Sequence, residues 1–154
     1  MSTDGGTAGG RIVVGVDGSD SSKAALEWAL RQAVLTGAAV EAVVAWHFPN
    51  FVGGMPYAPI AVMDLPNYAE LAAEVLDEVL RTTVPPDSRV KVSSIVREGN
   101  AAQVLIDIAE DADLLVVGSR GHGGFAEALL GSVSQHCVHH ARCPVVIIRD
   151  EAGR

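Results

Sequence analysis

Short runs of aliphatic, β-branched residues alternate along the chain with stretches of helical period, and this alternation restricts the fold more than any other feature. Arg11-Ile12-Val13-Val14-Gly15-Val16-Asp17 reads as a buried strand that stops at a Gly18-Ser19 turn. Ser19 or Asp20 can cap the helix that follows, where Ala24, Ala25, Trp28, Ala29, Gln32 and Ala33 recur at helical spacing until Gly37 ends it. Val40 to Trp46 is a second strand, and Tyr68 to Arg81 a second helix broken by Pro85-Pro86-Asp87. Val90, Val92, Ser94 and Val96 alternate as a third strand, and Gly99-Asn100 turns into a helix over Ala101 to Glu110. Leu114 to Val117, Leu129 to Ala141 and Pro144 to Arg149 supply the fourth strand, the fourth helix and the fifth strand. Strands that alternate with helices imply a parallel sheet with right-handed crossovers, hence a three-layer, doubly wound α/β domain.

The sequence has 154 residues, enough for one domain with a real core, and 49% of them are hydrophobic, as a sheet covered on both faces requires. One domain is expected over residues 11–150, with a disordered Gly/Ser/Thr-rich tail over 1–10 and a short tail over 151–154. A net charge of -8 leaves no basic stripe to replace phosphate counterions, so nucleic acid is not expected as a partner. No run approaches the ~18–20 apolar residues of a membrane span. The two cysteines, Cys137 and Cys143, are too few for a disulfide framework, and a cytoplasmic location is expected.

In a doubly wound sheet, ligands bind beyond the carboxyl ends of the strands, where the strand order reverses. The turns after the first and fourth strands, carrying Asp17 and Gly118, meet there if those strands are neighbours. The second turn opens a spaced glycine pattern: Gly118-Ser119-Arg120-Gly121, nine residues, then Gly131-Ser132-Val133-Ser134. Glycines let backbone approach a bulky anion, and a following helix N-terminus supplies unpaired N–H groups and positive dipole. Ser132 and Ser134 add hydroxyls that can cap the helix or donate to phosphate oxygens. The pattern reads as a nucleotide phosphate site, with Arg120 and His122 available to neutralise charge or simply solvated.

Other chemistries lack their parts. His136 and His140 stand four apart on a helix beside Cys137 and His139, but no general-base Glu or third ligand has metal-site spacing, so no metal site is expected. No Gly-x-Ser-x-Gly elbow surrounds Ser132 or Ser134, and no Walker lysine motif occurs, so catalytic residues are not expected. Glu127 is better read as a solvated helix-start carboxylate than as a base. The segment from Phe48 to Pro66 is long for a loop and holds Phe51, Met55, Tyr57 and Ile60, which suggests a lid or a subunit contact.

These motifs resemble the universal stress protein family over Arg11 to Arg149. The resemblance is strongest in Ile12 to Ser19, in Leu114 to Ser134 and in Cys143-Pro144-Val145-Val146-Ile147-Ile148. Nucleotide-binding members carry Gly-x2-Gly-x9-Gly-Ser/Thr, which Gly118, Gly121, Gly131 and Ser132 match in full. The resemblance implies a parallel sheet in the order 3-2-1-4-5, ATP in its cleft, and a homodimer joined through the last strand. It puts Gly15, Val16 and Asp17 at the adenosine end, with Asp17 at a ribose hydroxyl, and gives Trp46 main-chain contacts to the adenine. Val117 and Gly118 then line base and ribose, while Gly121, Gly131, Ser132, Val133 and Ser134 surround the phosphates. Trp46 departs from the smaller aliphatics usual at its position, and its ring either stacks on the base or turns into the core. Mg2+ is expected with ATP, held by phosphates and water. The resulting expectation is a stress-response binding module whose nucleotide state biases partner contacts. The alternatives are a slow ATPase or nucleotidyl-transferring enzyme, or a structural dimer without nucleotide.

Overall fold

A computed structural model describes residues 10–47, 67–120 and 130–149. The tails, the Phe48 to Pro66 segment with its apolar residues, and the stretch holding Gly121, His122 and Glu127 lie outside the described residues. Along the chain run β1 (Arg11–Gly15), α1 (Asp20–Thr36), β2 (Ala39–Trp46), α2 (Tyr68–Thr83), β3 (Val92–Glu98), α3 (Ala101–Ile108), β4 (Leu114–Gly118), α4 (Ser132–His140) and β5 (Val145–Ile148). The strands form one sheet in the order β3-β2-β1-β4-β5, and every pairing is parallel. The doubly wound α/β architecture is the one expected from the alternating pattern, and the 3-2-1-4-5 order is the one the family resemblance implies.

The period of two in the strands sorts the core into two layers. Ile12, Val14 and Val16 point with Val40, Ala42, Val44 and Val116 toward α1 and α2. Val13 points the other way, with Val43, Leu115 and Val117, toward α3 and α4. Helix α1 offers Ala25, Leu26, Ala29, Leu30 and Ala33, whose small residues let it lie close on the sheet. Each fully buried Val or Leu contributes about 1.5–3 kcal/mol of transfer free energy, so the strands that meet both layers anchor the fold. Val13, Val14, Leu115 and Val116 at the centre are wholly inaccessible to solvent.

Element boundaries moved where backbone hydrogen bonds outrank residue type. Strand β1 stops at Gly15 rather than Asp17, because the chain leaves the ladder once the Val16 N–H has bonded the Val43 carbonyl at 2.8 Å. Strand β3 starts at Val92 rather than Val90, whose N–H is taken by the Ser88 hydroxyl oxygen at 3.2 Å. Helix α2 runs two residues past Arg81 to Thr83. Helix α3 closes at Ile108, since the Glu110 N–H turns back to the Asp107 carbonyl. Helix α4 begins at Ser132 with Gly131 as its cap. No described helix is long and apolar enough to cross a membrane.

Candidate functional site

Strand β1 lies between β2 and β4, so consecutive connections run in opposite directions from it. The crevice between the ends of β1 and β4 is the switch point of this sheet. Gly15 closes β1 beneath the Leu105 side chain of α3, and Val16 is buried just beyond. Asp17 follows, exposed, at one lip of the crevice. Its Oδ1 accepts the Ser19 N–H at 2.9 Å, and Gly18 between them sits at a φ of 85°, which favours glycine. The Asp17 N–H in turn donates to Ser22 Oγ at 3.2 Å, and Ser19 Oγ caps α1 by accepting the Ser22 N–H at 3.2 Å. The Asp17 carboxylate is thus held by the first turn of α1 with one oxygen engaged.

The other lip is Gly118-Ser119-Arg120. A Cβ on Gly118 would stand 2.7 Å from the Ser21 carbonyl carbon and 2.8 Å from its oxygen. What occupies the space freed at Gly118 is therefore the first turn of α1. The Ser119 N–H bonds the Ile148 carbonyl of β5 at 2.8 Å, and its own carbonyl accepts the Gly131 N–H at 2.6 Å and the Ser134 hydroxyl at 3.2 Å. Ser119 and Ser134 are 5% and 1% exposed, so this clasp is shielded from water. The start of α4 is thereby pinned to the end of β4.

That start has no side-chain cap at Gly131, whereas α1, α2 and α3 are capped by Ser19, Asn67 and Asn100. Ser132, exposed, and Val133, half-buried, bring the first turn of α4 to the crevice with its amides and the positive end of the helix dipole. Such an arrangement suits an oxyanion. The Ser134 hydroxyl points elsewhere, with the Ser119 and Gly131 carbonyls at 3.2 and 3.1 Å. Its single proton serves the clasp.

Val117 is buried against the α3 and α4 layer, below the crevice. Trp46 settles between its two readings: the ring packs against the α1 and α2 core, and the carbonyl accepts the Gly99 N–H at 2.7 Å. The described residues therefore gather Gly15, Val16, Asp17, Val117, Gly118, Gly131, Ser132, Val133 and Ser134 around one end of the sheet. Sequence reasoning passed over Ser21, Ser22 and the carbonyl of Ser119. A pair of serines just inside a helix start was the available signal, but it reads as ordinary capping.

The remaining clusters lie apart from the crevice. The His136 and His140 rings lie with centroids 4.5 Å apart, tilted by 39°, beside a hollow of about 410 Å³ shared with Gln103, Asp107, Glu110 and Arg142. No three His, Cys, Asp or Glu side chains among the described residues gather to hold a metal ion. Burial pushes the Cys137 thiol up to about 11, and partial burial raises Cys143.

A parallel five-stranded sheet with the starts of α1 and α4 meeting at its switch point defines the class: a doubly wound α/β domain. The chain belongs to the universal stress protein family, whose family model matches residues 10–149. It is 33% identical over 142 residues to a universal stress protein of Mycolicibacterium smegmatis, covering 91% of this chain and 48% of the relative. It is 32% identical over 139 residues to one of Mycobacterium tuberculosis, covering 90% and 45%. The chain spans about half the length of these curated relatives. Among solved structures it superposes on the universal stress protein UspA of Lactobacillus plantarum with a TM-score of 0.73 at 22% identity, covering 94% of this chain and all of the other. It superposes on a universal stress protein in complex with cAMP with a TM-score of 0.60 at 27% identity, covering 94% and 100%.

Proposed function

We propose that this domain binds an adenine nucleotide, ATP first among them, in the crevice between β1 and β4, and acts as a cytoplasmic regulatory module rather than an enzyme. The observation that carries the reading is the uncapped start of α4, pinned by the Ser119 carbonyl beside the end of β4. Helix-end amides with the dipole behind them attract phosphate without a lysine. Asp17, on the opposite lip, offers a carboxylate oxygen to a ribose hydroxyl. The full glycine motif supports the same ligand, as does the cAMP bound by one relative of the fold.

The residues present fit the group. Ser132 and Val133 would hold phosphate through main-chain N–H groups, and the Ser134 hydroxyl would keep the start of α4 against the end of β4. ATP would contribute its polyphosphate charge, and Mg2+ would accompany it, held by phosphates and water. Strand β5 pairs with β4, and its four residues are all half-buried, so its open edge suits a homodimer through the last strand.

Mass spectrometry of the denatured, freshly purified chain tests the reading, followed by calorimetric titration with ATP, ADP, AMP and cyclic AMP. A retained adenine nucleotide and saturable ATP binding that Gly121→Asp removes are the expected results. Absence of both retained nucleotide and binding heat overturns it. Phosphate release well above background would favour an enzyme instead.

A further inference from the structure

The two lips of the crevice are joined by consecutive serines in the first turn of α1. Ser22 Oγ accepts the Asp17 N–H, which belongs to the β1 lip. Ser21 Oγ donates to the Arg120 carbonyl at 2.5 Å and accepts the Arg120 N–H at 3.4 Å, both on the β4 lip. Ser21 is 2% exposed, so its hydroxyl is a buried polar group committed to backbone partners.

The Arg120 N–H and the Ser119 carbonyl are the two ends of a single peptide plane. At the carbonyl end the plane receives the Gly131 N–H at 2.6 Å and the Ser134 hydroxyl at 3.2 Å, both from the start of α4. At the N–H end it meets Ser21 Oγ from α1 in a long contact of 3.4 Å, and the short bond from Ser21 to the Arg120 carbonyl fixes the same residue from the next peptide plane. One planar group thus has a helix on each side, and rotating it moves the α4 contacts out of line. The contact of Gly118 with the Ser21 backbone leaves α1 no room to follow.

We infer that Ser21 is a positioning residue for polyphosphate: by clamping the Ser119–Arg120 peptide it sets where the uncapped amides of α4 stand relative to Asp17. The inference rests on the nucleotide reading for its ligand, but not for its mechanics. Ser21→Ala deletes the hydroxyl and leaves both Arg120 backbone groups without that partner. The α4 start then loses its fixed distance from the β1 lip, while the adenosine end, on Asp17, keeps the Ser22 bond.

The test compares the full chain with its Ser21→Ala variant in two ways. By amide hydrogen exchange, the Gly131 N–H should exchange about tenfold faster in the variant while core β1 and β4 amides stay unchanged. By calorimetry, ATP affinity should fall about tenfold while adenosine affinity stays within about twofold. Unchanged Gly131 exchange overturns the inference whatever the ligand. ATP and adenosine affinities that fall in parallel also overturn it, because that is what general loosening produces. Faster Gly131 exchange in a protein that binds neither ligand upholds the clamp and overturns the nucleotide reading instead.

Discussion

The Ser134 hydroxyl donates to the Ser119 carbonyl at 3.2 Å, across fifteen positions of chain, in a spot 1% exposed at Ser134. With the Gly131 N–H on the same carbonyl at 2.6 Å, it ties the start of α4 to the end of β4. A serine that reads as a phosphate donor in the sequence spends its hydroxyl in the fold on joining α4 to β4. Ser134→Ala should therefore lower stability by about 1–2 kcal/mol, the cost of a buried acceptor losing one of its donors. Urea denaturation reads this as a lower midpoint at unchanged slope, and an unchanged midpoint would mean that the Gly131 N–H alone holds α4 to β4.

Gly118→Ala tests the contact between β4 and α1. The added methyl would meet the Ser21 carbonyl carbon and oxygen at 2.7 and 2.8 Å, against backbone that has no flexible end to yield. A loss of about 1–3 kcal/mol is expected, as for an overpacked core. Thermal unfolding measures it, and Gly131→Ala, at a φ of -76° that any residue adopts, is the comparison that should cost less.

Asp17→Asn separates the turn from the ligand. The amide oxygen can still accept the Ser19 N–H that Asp17 Oδ1 accepts now, so α1 and its cap should survive. The charge is lost, and the second oxygen becomes a donor that a ribose hydroxyl meets less well. ATP affinity should fall about tenfold with the melting temperature little changed. A melting temperature that falls while affinity holds would assign Asp17 to the turn alone.

Cys137 governs a pH window. Its thiol titrates at about 11 in the fold against an ordinary value of 9.0, because burial disfavours the thiolate. Below pH 9 both folded and unfolded chains hold the proton, so the contribution is fully present there. Between pH 9 and 11 the unfolded chain releases it first, and stability is lost as pH rises through that window. The slope of stability against pH over that range should be steeper in the natural chain than in Cys137→Ala. At neutral pH, a thiol reagent should label half-buried Cys143 before Cys137.

Much of this was legible in the chain before folding. Alternating strand and helix signals from Ile12 to Ile148 specify a parallel sheet, because neither periodicity can bury its apolar face alone. Gly118, Gly131 and the Val16-Asp17-Gly18-Ser19 turn mark the crevice, because turn geometry and helix capping depend on nearest neighbours in sequence. Local chemistry reaches that far.

Tertiary structure decided how those segments are used. Ser21 meets Arg120 across 99 positions, and no periodicity or cap preference encodes such a contact. The Trp46 ring takes the core because β2 places that face under α1 and α2, and the hydroxyl of Ser134 turns to Ser119 because β4 ends beside α4. Hydrogen bonds and close packing depend on angstrom-scale distances between remote segments, which only the closed sheet supplies. The sequence by itself determined which elements form and which turns end them; the folded arrangement determined which hydroxyls are spent joining α1 and α4 to the end of β4.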